Sequence, residues 1–187
     1  KAIERYREES GYDGRDLFVL GSLGPSNHVI SATTANLRRT SFAAIADNFY
    51  RQALGLLDGG ADVLLFETQQ DILELKAGVF GARRAMEERG RMLPVMGQVT
   101  VDQFSRMQLF NTDIHAALVT VQGIGLDVFG INCSIGPDLM EKTAERLGAL
   151  SLLPVSVVPN AGLPVSEQGK TVFKFPPERF AESLTHF

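Results

Sequence analysis

The chain has 187 residues, a net charge of −4, and 44% apolar against 21% charged residues, enough for one domain with a sizeable core. Its single cysteine excludes an internal disulfide, no apolar run approaches the roughly 20 residues of a membrane helix, and no signal peptide is expected from the opening residues. Basic residues do not gather on one segment, which argues against a nucleic-acid partner; a cytoplasmic protein without membrane contact is expected.

In chain order, the sequence opens in a charged helical pattern, "KAIERYREES". Leu17–Pro25 is a first apolar strand broken by Gly and Pro. A helix follows, with Ile45, Phe49, Ala53 and Leu56 on one face of a 3.6-residue period. Gly59 and Gly60 end it. Ala61–Thr68 is the second strand, and Asp71 with Glu74 three residues on reads as a capping box. The next helix carries the stripe Ile72, Leu75, Val79, Ala82 and Met86. Pro94–Val101 is the third strand, followed by a polar loop and a short helix over Ala116–Gln122. Leu126–Ser134 is the fourth strand; its helix shows Met140, Ala144 and Leu147 on one side. Leu153–Pro164 is the fifth strand, and an irregular Gly-rich loop leads to "PPERFAESL", with prolines suited to a helix's first turn.

The strands are nearly continuous apolar runs, as in parallel sheets covered on both faces, and their spacing fits repeated right-handed βα units. A (β/α)8 barrel and an open doubly wound sheet both satisfy this pattern. "GSLGPSN" is not the Gly-rich turn of a nucleotide-binding sheet, and Pro25 removes an N–H that a phosphate cradle uses. The expected fold is therefore α/β of the (β/α)8 TIM-barrel type, with about five of its eight units present. Both ends read as interruptions of helices. Residues 1–187 are thus expected to be one partial domain of a longer protein, with two unpaired strand edges.

Chemistry in such folds sits at the C-terminal ends of strands. Those ends hold Gly24-Pro25-Ser26-Asn27, Glu67-Thr68, Thr100 and Asp102, Asn132-Cys133, and Pro159-Asn160. Glu67 can accept strong bonds from an ammonium group, or it can be anchored by the N–H groups of the following helix. Cys133 can be a small core residue, a nucleophile, or one ligand of a metal. A nucleophile needs a base, and His28 is the histidine within reach of the mouth. A catalytic zinc needs about three protein ligands, and no second cysteine is present. Asn160 has a bland alternative too, as a residue that ties down a loop.

Taken together, "GSLGPSN", "LLFETQQDILELKAGV", "FGINCSIGP" and "VVPNAGLPVSEQGKTV" resemble the homocysteine S-methyltransferase family, from about Leu17 to the end of the chain. The pairing of "LGPSN" with "PNAGLP" is closer to its cobalamin-dependent, methionine-forming branch than to the betaine or S-methylmethionine branches. The resemblance implies a barrel that binds homocysteine through a catalytic zinc. Cys133, in the Gly-x-Asn-Cys motif with Gly130 and Asn132, inherits the role of metal ligand. Glu67 inherits substrate binding through the amino group, and Asn132 lines the same pocket. Methylcobalamin would be the methyl donor, on a separate domain, and the implied partners are the cobalamin- and folate-binding domains of the parent protein. Two family motifs are absent: an adjacent Cys-Cys pair on the last strand, which supplies the other zinc ligands, and an opening Asp-Gly-Ala-Met-Gly. This chain alone is therefore expected to hold an incomplete site. The alternatives are a stand-alone methyltransferase using betaine or S-methylmethionine, and a non-catalytic fragment.

Overall fold

The computed structural model describes residues 2–9, 14–26, 28–31 and 38–187. Asn27, named above at the first strand's end, lies outside them. Five strands form one parallel sheet: β1 (Leu20–Leu23), β4 (Val63–Gln69), β5 (Val95–Val99), β8 (Val128–Asn132) and β9 (Val155–Val158), adjacent in that order. The order never reverses along the chain. A doubly wound sheet reverses at its switch point, so the arrangement is that of a (β/α) barrel, present as an arc.

The helices that follow these strands are α2 (Phe42–Asp58), α3 (Ile72–Arg89), α4 (Ile114–Gln122), α5 (Pro137–Leu150) and α6 (Pro177–Leu184), after an N-terminal α1 (Ala2–Glu9) with no buried residue. Each packs against the next from α2 to α6. The expected apolar stripes are buried, with two adjustments: in α2 it is Leu57 that is buried and Leu56 only half-buried, and in α3 Ile72 is only half-buried. Ser41 caps α2, Asp71 caps α3 and Asp113 caps α4, each by a side-chain oxygen that accepts a backbone N–H.

The core lies between sheet and helices. Phe49 of α2 and Phe66 of β4 are fully buried, with ring centroids 5.3 Å apart in an edge-on arrangement. The helices approach closely because Gly81 faces Ala46: a Cβ on Gly81 would lie 2.1 Å from the Ala46 carbonyl oxygen.

Three pairings were not expected from the sequence. The polar loop after β5 contains an antiparallel hairpin, β6 (Arg106–Met107) with β7 (Thr112–Asp113). The loop after β9, expected to be irregular, contains another, β10 (Pro164–Glu167) with β11 (Lys170–Phe173). A short parallel pair, β2 (His28–Val29) with β3 (Arg38–Arg39), sits between β1 and α2. The capping box is also half corrected. Asp71 caps α3, but Glu74 accepts the backbone N–H of Ser26, at 2.7 Å, instead of closing back on its own helix.

On the inner face of the sheet, polar side chains bridge alternate strands. Gln98 of β5 donates to Ser156 Oγ of β9 at 2.7 Å, across β8. The residue of β8 paired with both is Gly130. A side chain there would obstruct this bridge, and its Cβ would fall 1.8 Å from the Ser156 carbonyl oxygen. Gly130→Ala is therefore expected to lower stability by about 1–3 kcal/mol through overpacking, read from urea unfolding; an unchanged midpoint would contradict this account.

Candidate functional site

The C-terminal ends of β4 and β8 are both distorted, and the distortions face each other. The β4–β5 register shifts between Phe66 and Gln69, so Thr68 bulges out of the ladder with φ of 60°. At the end of β8, Cys133 and Ser134 have φ of 62° and 68°. These are left-handed conformations, uncommon for residues with a Cβ and especially for a β-branched threonine.

Asn132 holds these ends together. Its Oδ1 accepts the Thr68 N–H at 2.8 Å, and its Nδ2 donates to Thr68 Oγ1 at 2.9 Å. Strands two places apart in a sheet are about 9–10 Å from one another, farther than an asparagine side chain spans. The bulge at Thr68 closes that gap over the end of β5. Asn132 is 5% exposed, and its carboxamide is engaged at both ends by a single residue.

Glu67 precedes Thr68 and Cys133 follows Asn132, so both expected site residues flank this pair. Glu67 is half-buried on the inner face. Ser22 Oγ donates to its carboxylate, as the register of Ser22 against Leu65 allows. The backbone carbonyl of Glu67 accepts from Gln69 Nε2 at 3.2 Å. The alternative role for Glu67, anchoring the next helix, falls to Asp71, whose Oδ1 accepts the Leu73 N–H.

Cys133 is half-buried. Its N–H donates to Val158 O at 3.0 Å, and Asn160 Nδ2 lies 3.8 Å from its Sγ. The hydrogen bonds of Cys133 involve no histidine among the described residues. His28 instead lines a pocket of about 280 Å³ with Pro25, Glu74 and Leu109, which includes neither Glu67 nor Cys133. No hydrogen bond among the described residues gives Cys133 a histidine base, so the nucleophile reading finds no support. Asn160 ties down its loop, as the bland reading has it, through its N–H to Ile135 O; its side-chain amide also meets the Cys133 thiol, a contact the sequence does not suggest.

The remaining strand ends contribute differently. Thr100 is buried, and Asp102 accepts the N–H groups of Phe104 and Arg106 to shape the β6 turn. Residues with no assigned role enter instead: Gln108, from the β6–β7 hairpin, donates to Ser134 Oγ. No sequence pattern marks Ser22 or Gln108 as belonging here, because each is recruited by a distant element.

Cys133 fits as a single metal donor, a partly accessible sulfur at the mouth of the sheet. Among the described residues no group of three His, Cys, Asp or Glu is placed to hold a metal. Among those residues, too, no helix is long and apolar enough to cross a membrane.

Glu74 and Asp71 dock the segment after β1 onto α3. Asp71 accepts from Ile30 N, Ser31 N and Ser31 Oγ. Glu74 is 2% exposed, and burial pushes its carboxyl above the ordinary value of 4.5, against the opposing bonds from Ser26. Between that value and the raised one, the folded chain binds more protons than the unfolded chain. Stability should thus fall as pH rises through that window and level off above it. Glu74→Gln is expected to abolish that slope, read from unfolding midpoints between about pH 4 and 8; an identical pH profile in the variant would refute this.

Comparison with known proteins completes the picture. The family described as homocysteine S-methyltransferase matches residues 1–187. The chain is 43% identical over 183 residues to methionine synthase of Mycobacterium tuberculosis, covering 98% of this chain and 15% of that protein. It is 42% identical over 170 residues to methionine synthase of Mycobacterium leprae, covering 91% of this chain and 14% of that protein. Among solved structures, the apo form of the homocysteine methyltransferase MmuM from Escherichia coli superposes with a TM-score of 0.67 at 25% identity, covering 86% of this chain and 56% of that one.

Proposed function

This chain belongs to the homocysteine S-methyltransferase family, and from that premise we propose that it forms the homocysteine-binding part of a cobalamin-dependent methionine synthase. The observation that carries this reading is the pairing of Glu67 with Cys133 on either side of the Thr68–Asn132 bridge. The two relatives bearing the name methionine synthase favour this branch over a stand-alone enzyme.

Homocysteine presents two recognisable groups, an α-ammonium and a thiol. Glu67 accepts hydrogen bonds from the ammonium, with Ser22 holding the carboxylate in place. Cys133 would be one sulfur ligand of a zinc ion, with the other ligands supplied from outside this sequence. Zinc, when bound, lowers the pKa of a coordinated thiol and so keeps the substrate sulfur as a nucleophile at neutral pH. A free thiol near pKa 8.5 would be only a few per cent thiolate there.

The residues of this chain do the positioning. Glu67 fixes the amino-acid end so that the sulfur faces the incoming methyl group, a gain in orientation and not a proton transfer. Asn160 sets an amide N–H beside the Cys133 sulfur, where it steadies negative charge. The methyl donor is methylcobalamin carried by a separate domain, with a folate-binding domain as the further partner.

In the full-length protein, Cys133→Ser is expected to remove the bound zinc; metal analysis that finds full occupancy would take Cys133 out of the site. Glu67→Gln is expected to weaken homocysteine binding by roughly 10–100-fold, the worth of a charge-assisted bond, with zinc retained. Unchanged affinity by calorimetry would sink the assignment of Glu67.

A further inference from the structure

We propose that the Thr68–Asn132 pair fixes the separation between the amino-group site at Glu67 and the sulfur site at Cys133, and thereby selects the carbon-chain length of the α-amino thiol that binds. The inference rests on the functional reading above and deepens it.

The pair stands one residue from each site residue. Glu67 and Thr68 are consecutive, as are Asn132 and Cys133, and two side-chain hydrogen bonds of 2.8 and 2.9 Å join the inner members. Each outer member is otherwise anchored to its own surroundings. Glu67 is tied to Ser22 through its carboxylate and to Gln69 through its carbonyl. Cys133 is tied to Val158 and Asn160. The bridge from Asn132 is thus the direct side-chain link between the two anchored groups, at the strand ends where the β4–β5 ladder is broken by the bulge.

The backbone supports the same conclusion. Thr68 and Cys133 both hold left-handed conformations, at φ of 60° and 62°. Such conformations persist only where their surroundings over-determine them. The Asn132 carboxamide satisfies Thr68 on both its N–H and its hydroxyl, and so locks the bulge that aims Glu67. A ligand with an ammonium at one end and a sulfur at the other is then measured between two fixed points. Cysteine is one methylene shorter than homocysteine and cannot satisfy both points at once. An ordinary apolar pocket distinguishes one methylene by about 10–200-fold; here the distinction depends on the rigidity of the bridge.

The test uses the full-length protein, with homocysteine and cysteine titrated separately by calorimetry and zinc content measured in parallel. Thr68→Val keeps shape and branching but removes the Oγ1 acceptor, leaving the buried Asn132 Nδ2 unpaired. It should narrow the preference for homocysteine over cysteine by about tenfold, with zinc retained. Thr68→Gly suits a φ of 60° and removes the same acceptor, so it should narrow the preference as well even if the valine variant folds poorly. Thr68→Ser keeps both bonds and should preserve the wild-type ratio. A wild-type ratio in the glycine variant, or equal shifts in the serine and glycine variants, would overturn the inference while leaving the functional reading intact. Absence of homocysteine binding by the zinc-loaded wild type would overturn the functional reading itself.

Discussion

A buried carboxamide spanning the end of one strand to reach the next is the constraint on which this mouth is built. Asn132 meets Thr68 across the top of β5, and both of its polar ends are satisfied there. A buried amide with an unpaired end costs about 1–3 kcal/mol. The bridge therefore forms with both bonds or stands at a heavy disadvantage. Everything nearby follows from its being made: the bulge in β4, the left-handed Thr68, and the direction in which Glu67 leaves the sheet.

The same device recurs one layer deeper. Gln98 reaches over β8 to Ser156, and it can do so because β8 has glycine at that level. Two side-chain bridges thus lace alternate strands across the inner face, while apolar residues on the other face pack against helices. Parallel sheets lack the local hairpins that fix register in antiparallel ones. Long-range polar bridges on the inner face supply a register signal of another kind.

Much of this was legible in the residue pattern, and the parts that were not share a cause. The parallel strands could be read because burial on both faces makes them apolar throughout. Asp71 could be read as a cap because capping is local. Glu74 departs from the capping-box pattern because its partner, Ser26, is 48 residues away. The β10–β11 hairpin is not legible in the pattern, although its turn, with Gln168 at φ 51° and Gly169 at φ 76°, is the two-residue kind that favours glycine. The strands on either side of it are short and exposed, and show no alternation to announce it. Glu67 and Cys133 are read as candidate site residues from their places at strand ends and from resemblance. The bridge between them is not legible, because nothing in "FET" or "GINC" says that a threonine will be left-handed or that an asparagine will cross a strand.

The backbone at Cys133 has a further implication. Glycine takes a φ of 62° without penalty, whereas a residue with a Cβ gives up about 1–2 kcal/mol. The chain therefore bears a small standing deficit in stability at its single thiol. Any process that rewards robustness alone, in a laboratory or over generations, is biased toward exchanging this residue for glycine, and the metal-ligand role proposed for its sulfur would oppose that drift.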